Sequence, residues 1–589
     1  LVPAGLCALS WFGIGRLVPR RLLPDDLLLR VLARIAVGST AFALGTYALG
    51  RADLYRRPLL IALTAIFAFV ALPSLRHAAI VRLRLRNRLE RAFAGLVALA
   101  LALDLVAASV PPTSADALKY HLAVPKFWLE SGSVGDAFSV WESFNPFGVD
   151  MVFGQGLAIA NGPAAQAVGA IIAVLAAAAV YGLGRELGGG EMLAGLAAGS
   201  LFVLEGLFTW TATSTFVELG MTFYVVLAAW FALRFERSRN HQDLLWTGFA
   251  LGAAAGTKYV GLQAWLLVVP LALFGLRRRQ ARALAGALGL AALAGGGWYL
   301  KNAIVTGNPF YPLFGFGTER TPALTHALDA LNHAYGVGHS VARLVVFPLE
   351  LLVHGSAFDR GQYVGFAIFV AAAVALVLVR RRETYVLFGS ALLFVISWWY
   401  LSPQARFLLP ALAVLAALGG SAPVRLWGQG RIGAVVVGVG MLAIAADWAA
   451  PSVALTRRAL PVAFGATSRS AYIQRETGAY YAIRDASRRS TGVLGFAGYF
   501  FPFYADRRAI SLTLPEFAPD VPTAVFRARL RAQDIRAVFS QGDAPPPLPQ
   551  LHGCLTAVAL YHGRLVTSRS LGTSIPMDFR LYRLRPPCA

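Results

Sequence analysis

The sequence predicts an all-α polytopic membrane protein of about fourteen transmembrane helices, with a small C-terminal α/β domain outside the membrane. Three observations lead there. Hydrophobic residues make up 57% of the 589 positions and charged residues 14%, and the mean hydropathy is +0.60, so too little polar surface is available to cover a soluble particle. The apolar residues recur in runs of roughly 17–25, the length an α-helix needs to cross the hydrocarbon layer while satisfying its own backbone hydrogen bonds. Basic clusters separate those runs, as the positive-inside rule requires of cytoplasmic loops.

The spans are centred near Ala8, Val37 and Phe67 in an N-terminal unit, residues 1–91. A core of residues 92–448 follows, with centres near Leu101, Val174, Ala198, Val226, Leu251, Val268, Leu290, Ala371, Leu393, Leu412 and Gly438. Arginines at 16, 20 and 21, 82–91, 234–239, 277–282, 380–382, 425 and 431 mark the inner side. Alternation then puts the outer loops at 111–166 and 301–362, short outer turns at 209–215, 257–261 and 402–406, and the tail from 449 on the outer face of a plasma (inner) membrane. Arg51, Arg56 and Arg57 break the rule: either an early span is misplaced or they meet outer-leaflet head groups. The chain has only four lysines, Lys119, Lys126, Lys258 and Lys301, and all four fall at outward ends of spans.

The tail, residues 449–589, reads as an extracytoplasmic α/β domain. A helix is predicted over 470–489, strands over 492–497 and 509–512, a helix over 525–533, and strands over 535–539 and 579–584, with a loop at Pro545-Pro546-Pro547. No G-x-G-x-x-G follows the first strand, so a cap or docking module is expected rather than a nucleotide site. Of three cysteines, Cys7, Cys554 and Cys588, the last two share this domain and are either one disulfide or two buried thiols. The opening Leu1-Val2-Pro3 lacks a basic n-region and a cleavage site, so no signal peptide is expected.

The formal charge of +23 follows from the loop arginines, and no nucleic-acid partner is expected. The residues suited to chemistry gather on the outer side. Asp116, just past a span, stands at the water boundary where a carboxylate ionises and still reaches a lipid-linked group, as a general base must; the alternative is a helix N-cap. Glu218 opens a span at the same level, where it binds a cation or sugar hydroxyl, or meets the helix N-terminus. Glu142 and Asp150 are weaker candidates in the first loop. Lys258, in a tight apolar turn, and Arg406, after Ser402-Pro403-Gln404-Ala405, suit a phosphate sunk in the head-group layer or snorkel to the interface. Asp104, Glu205 and Asp447 lie within or near spans, where an acid is costly and suspected of function. His121, His326, His333 and His339 show no metal-ligand spacing, so no metal site is assigned, although a divalent ion stays compatible with the chemistry.

Several segments together resemble the GT-C superfamily of integral membrane glycosyltransferases, and are similar to the protein mannosyltransferase and aminoarabinose transferase families. They are Asp116-Ala117-Leu118-Lys119-Tyr120-His121, Val217-Glu218-Leu219, Gly256-Thr257-Lys258-Tyr259, Trp298-Tyr299-Leu300-Lys301-Asn302 with Thr306-Gly307-Asn308-Pro309, and Gln404-Ala405-Arg406-Phe407. The resemblance implies transfer of a sugar from a polyprenyl-phosphate or pyrophosphate donor to a lipid, glycan or protein acceptor on the extracytoplasmic face, with membrane lipids as partners. It implies Asp116 as the base, Lys258 and Arg406 on the carrier phosphate, and Glu218 positioning sugar or acceptor. Lys119, His121, Glu142, Tyr259, Lys301, Asn302 and Asn308 are further substrate-binding candidates. The chain departs from the family pattern in lacking a second strong acidic motif, for which only Glu142 or Asp150 stands in. A transporter or flippase of a lipid-linked glycan is the competing reading; it predicts internal repeats and a midplane site, and no half-to-half repeat is present.

Overall fold

The computed structural model describes all residues except 77–84, 137–139, 278–279, 318–320, 499–500, 513–515, 543–545, 547, 569–572, 587 and 589. Arg82, Arg84, Arg278, Arg279, Pro545 and Pro547, used above for sidedness and for a loop, lie outside the described residues.

The helix Glu218–Ser238 is the axis of the molecule. Its 21 residues give about 30 Å at ~1.5 Å per residue, the thickness of the hydrocarbon layer, and 94% of its most apolar window is buried. A helix apolar on every side has to be enclosed by others, and Gly162–Leu187, His241–Ala255, Val269–Gly275 and Leu409–Gly419 surround it. Gly182 makes the closest of these approaches workable, because a Cβ there would stand 1.9 Å from the Trp230 ring.

Among the described residues eight helices are long and apolar enough to cross a membrane, or nine when one bent pair counts as a span. Thirteen of the fourteen expected centres lie in helices, the shorter Val2–Gly15 and Phe366–Leu378 included, and Val268 falls in the turn between Ala264–Leu267 and Val269–Gly275. The bent pair is Met192–Val203 and Gly206–Ala212, turned by 71°. Glu205 stands at that break and accepts the Gly365 amide at 2.6 Å, so the acid in this apolar run interrupts a span that hydropathy reads as continuous.

Charges segregate to the two ends of the helix bundle. At one end Arg237 pairs with Glu186 at 2.9 Å and Glu383 at 2.8 Å, and Arg185 pairs with Asp26. At the other lie all four lysines: Lys119 on Glu142, Lys258 on Glu218 and Lys301 on Asp136, while Lys126 donates to the carbonyls of Phe503 and Ala505 in the C-terminal domain at 3.0 and 2.6 Å. Arg51, which broke the inside rule, belongs with the lysines, donating to Val134 O at 3.0 Å and pairing with Asp136 at 3.4 Å.

The C-terminal domain is a five-stranded sheet in the order β2-β1-β3-β5-β4, with β1 Val493–Ala497, β2 Ala509–Ser511, β3 Ile535–Gln541, β4 Leu555–Ser568 and β5 Thr573–Leu584. β1 pairs in parallel with β2 and β3, and β5 lies antiparallel between β3 and β4. Phe539 stacks on Phe579 across the β3–β5 pair, with ring centroids 5.4 Å apart. Cys554 and Cys588 form a disulfide, which decides between the two options left by the sequence. The long strand β4 was not expected: its burial alternates, with Ala559, Tyr561 and Leu565 packed on the core, but apolar Val558, Leu560 and Val566 and the small Gly563 blur that alternation in the sequence. The helix expected over 470–489 is two, Arg469–Thr477 and Tyr480–Arg489, divided at Gly478, whose φ of +76° suits glycine. The last helix of membrane-spanning length among the described residues, Arg431–Ala463, runs past the boundary expected at 449 and carries Pro451 and Pro461 inside it.

Candidate active site

Two adjacent prolines, Pro111 and Pro112, end the helical course after Arg88–Ala107, and the chain re-enters helix through a single widened turn, Ala117–His121, of the π type. Such turns hold one residue more than an α turn and recur at functional sites. Asp116 stands directly before it. Its carboxylate makes no cap hydrogen bond to that turn, which removes the N-cap alternative. It accepts from the Tyr120 hydroxyl at 3.2 Å and pairs with Arg406 Nη1 at 2.7 Å.

Arg406 enters from the 3-10 turn Ala405–Leu408. Its guanidinium lies over the Phe216 ring, 4.8 Å from the centroid, and is oriented by donating to Gln404 Oε1 at 2.9 Å. Its Nε is 3.6 Å from Glu218 Oε1 and 3.8 Å from Asp359 Oδ2. Glu218 begins the central helix without capping it and takes the Lys258 ammonium at 2.8 Å. Lys258 lies in the turn after His241–Ala255, with its ammonium 4.6 Å from the Phe407 ring centroid. Asp116, Arg406, Glu218 and Lys258 thus form one chain of ion pairs, and Asp359 makes a third carboxylate against two cations.

Burial would raise the Asp116 pKa, but Arg406, His121 and Lys258 outweigh it and hold the carboxyl well below the usual carboxylate range. For Asp359 the balance goes the other way: burial raises it despite Arg406. Four polar atoms around the chain are buried with no hydrogen-bond partner among the described residues: Arg406 Nε, Glu218 Oε2, His121 Nε2 and Glu142 Oε2. Buried polar groups in that state are costly, and a hydroxylated ligand would satisfy them.

The other sequence candidates divide into two groups. His121 Nδ1 and Asp150 Oδ1 are 2.5 Å apart, each side chain 2% exposed, and Lys119 reaches Glu142 at 2.5 Å. Both pairs flank the ion-pair chain through the Ala117–His121 turn. Tyr259, Lys301, Asn302 and Asn308 make no hydrogen bond or ion pair to Asp116, Glu218 or Arg406 among the described residues. The Tyr259 hydroxyl donates to Tyr311 O at 2.7 Å, Asn302 Nδ2 donates to Phe144 O at 2.8 Å, and Asn308 Nδ2 donates to Leu313 O at 2.7 Å. Lys301 pairs with Asp136 at 3.2 Å. These four brace the outer loops beside the chain. Among the described residues no group of three His, Cys, Asp or Glu side chains is arranged to hold a metal ion. Sequence reasoning missed Asp359, a single acid in a long loop without a motif, whose proximity to Arg406 arises only on folding; Gln404 lies in the Gln404-Ala405-Arg406-Phe407 segment but has no role assigned to it there.

A buried acid–base chain at one end of a polytopic bundle, with a mixed sheet docked beside it, can be compared with known proteins. A family described as a domain of unknown function, DUF8201, matches residues 202–413. No curated protein matches the sequence. Among solved structures, ArnT from Cupriavidus metallidurans in the apo state superposes with a TM-score of 0.52 at 14% identity, covering 83% of this chain and 97% of that one. The chain thus shares the fold of ArnT. ArnT bound to undecaprenyl phosphate gives 0.50 at 15% identity over 84% and 98% of the two chains. The mycobacterial arabinofuranosyltransferase AftD gives 0.49 at 15% identity over 85% of this chain and 40% of its own.

Proposed function

We propose that the protein is a membrane glycosyltransferase that moves a sugar from a polyprenyl-phosphate donor to an acceptor hydroxyl on the extracytoplasmic face. The observation that carries this reading is the Asp116–Arg406 pair at 2.7 Å, part of a buried chain of opposite charges at the lysine-rich end of a GT-C fold. ArnT, which shares that fold, binds undecaprenyl phosphate, and a related carrier suits this chain.

In the proposed reaction the acceptor oxygen attacks the anomeric carbon while the bond from that carbon to the phosphate oxygen breaks. The acceptor proton passes to Asp116, the polyprenyl phosphate leaves with the bonding electrons, and the configuration inverts. Little general acid is needed, because phosphate is already a stable leaving group; what the site supplies is positive charge opposite a carboxylate. Arg406 and Lys258 are the cations assigned to that phosphate. In the ion-paired state Arg406 weakens Asp116 as a base, so a phosphate that draws on Arg406 raises the basicity of Asp116 when donor is in place. Glu218 keeps Lys258 oriented, and the His121–Asp150 and Lys119–Glu142 pairs position the turn that carries Asp116 and line the route of sugar and acceptor.

The same reading assigns fourteen spans, divided as 1–91 and a catalytic core 92–448, and an extracytoplasmic domain 449–589 over the site in the inner membrane. The test is a reconstituted assay with a labelled polyprenyl-phosphate sugar and extracted membrane lipids as acceptor. Carrier-dependent transfer by the parent is expected; no transfer from any carrier, with uptake of labelled glycan into vesicles, would replace this reading with the transporter one.

A further inference from the structure

The ion-pair chain has a charge problem that a second group of residues answers. Asp116, Glu218 and Asp359 share Arg406 and Lys258 as their ion-pair partners, so a phosphate entering there meets three carboxylic acids against two cations. Uncommitted positive charge lies next door. Arg360 follows Asp359 in the chain, and its guanidinium makes no hydrogen bond or ion pair among the described residues. It lies 4.4 Å from the Trp210 ring centroid and 5.6 Å from that of Tyr363, a stacking that fixes the fork while leaving its N–H donors unclaimed. Both Asp359 and Arg360 sit at positive φ, +51° and +71°, a conformation that non-glycine residues adopt at a cost and that concentrates at functional sites.

Arg360 lines a cavity of about 60 Å³ together with Arg458, Glu476, Thr113 and Ser114. One water needs ~15 Å³ of such space, so the cavity has room for a compact polyatomic group. Glu476 does not neutralise it, being shared by Arg458 at 3.4 Å and Arg475 at 3.0 Å. Burial makes the charge on Arg360 costly; Tyr363 and Asp359 offset part of that cost, and Arg458 and Arg406 add repulsion, so an anion placed beside it is favoured. Ser114 stands two residues before Asp116, so an anion seated here lies beside the ion-pair chain.

We propose that the pocket between Arg360 and Arg458 seats the phosphoryl group of a lipid phosphate, with Arg360 as its principal donor. The inference rests on the glycosyl-transfer reading and adds to it a second anion site beside Arg406 and Lys258, at which the carrier phosphate docks on its way to those cations or a phosphorylated acceptor lipid is held. A planar fork stacked on Trp210 presents paired N–H groups to two oxygens of such a group, which a lone ammonium cannot do.

The experiment measures binding of undecaprenyl phosphate, phosphatidic acid and phosphate-free undecaprenol to the purified full-length chain, read from melting temperature across a titration. Arg360→Gln is expected to weaken a phosphate-bearing lipid by about tenfold or more and to leave undecaprenol unchanged. Loss confined to undecaprenyl phosphate assigns the pocket to the carrier, and loss confined to phosphatidic acid assigns it to an acceptor lipid. Arg360→Lys, which keeps the charge, recovers part of the affinity. Unchanged binding of both phosphates by Arg360→Gln, or an equal loss for undecaprenol, overturns the pocket; parental transfer that persists through Asp116 shows that the wider reading survives. A parent that binds neither phosphate and transfers no sugar removes both.

Discussion

Arg406 bridges Asp116 and Glu218, with Nη1 2.7 Å from the first and Nε 3.6 Å from the second. One guanidinium from the turn before a late span thus joins the carboxylate of the first outer loop to the acid that opens the central helix. The site exists only when these three distant segments are packed together, and Arg406 is the residue all three share.

Removing that charge therefore has a double effect. Arg406→Gln leaves Asp116 without its ion-pair partner and Glu218 with Lys258 alone; breaking a fully buried pair costs about 3–5 kcal/mol, and the partial exposure of Asp116 puts this one at or below the lower end. Arg406→Lys keeps one positive charge but cannot reach both acids with separate nitrogens, so it should fold better than Arg406→Gln and still transfer poorly. Melting temperature and transfer rate on the same preparations check this; a Lys variant with full transfer would show that the bridging geometry is dispensable.

The turn that carries Lys258 is set by a contact with no side chain in it. The Gly148 amide donates to Gly256 O at 2.9 Å, and a Cβ on Gly148 would stand 2.7 Å from that oxygen. Gly148→Ala must push the two backbones apart, at about 1–3 kcal/mol, and displaces Lys258 from Glu218 and Asp150 from His121. Transfer should fall more steeply than stability, whereas Gly45→Ala, where a Cβ meets nothing within 4 Å, should change neither.

Much of this arrangement was legible in the sequence because membrane proteins write their sidedness in charge. Lysines at outward ends and arginines inward put Asp116, Glu218, Lys258 and Arg406 at one level, and the structure joins those four. Contacts made across loops left no pattern: Asp359 is a lone acid in a long connection, and nothing in the sequence ties it to Arg406. Tyr259, Asn302 and Asn308 look like ligand-binding residues by type, yet their donors hold backbone carbonyls, because irregular loops have polar groups of their own to satisfy. Hydropathy averages over a window, so it passed over the break at Glu205 and could not register β4, whose outward face carries apolar Val558 and Leu560 beside polar residues.

The disulfide gives the side of the C-terminal domain a direct test. Cys554 and Cys588 are 34 residues apart in sequence, and closing such a loop stabilises by about 3–4 kcal/mol in the chain-entropy account. Disulfides persist in oxidising compartments, so an extracytoplasmic domain should show no maleimide-reactive thiol in intact cells until a reductant is added; Cys7, the free cysteine, is buried. Cys588→Ser should lower the melting transition of the domain and expose one thiol. Ready labelling of both residues without reductant would put the domain in the cytoplasm and away from the proposed site.

Asp116→Asn bears on the proposed base itself. The amide keeps the shape of the carboxylate but takes up no proton, and positioned general bases contribute roughly 10²–10⁴-fold, so transfer should fall by at least ~100-fold while carrier binding persists. The pH profile adds a sign. In the parent Arg406 holds the Asp116 carboxyl well below the usual range, so its ion-pair stabilisation is fully present above the unfolded value of about 3.9 and is lost only as pH falls through the lower folded value. Parental transfer should consequently show no acid limb from Asp116 between neutrality and mild acid. With Arg406→Gln, burial acts without its main opponent, the carboxyl moves upward, and whatever transfer remains should fall off at higher pH than in the parent. Equal rates for Asp116→Asn and parent would take the base from Asp116, and an unshifted profile in Arg406→Gln would take from Arg406 its hold on that proton.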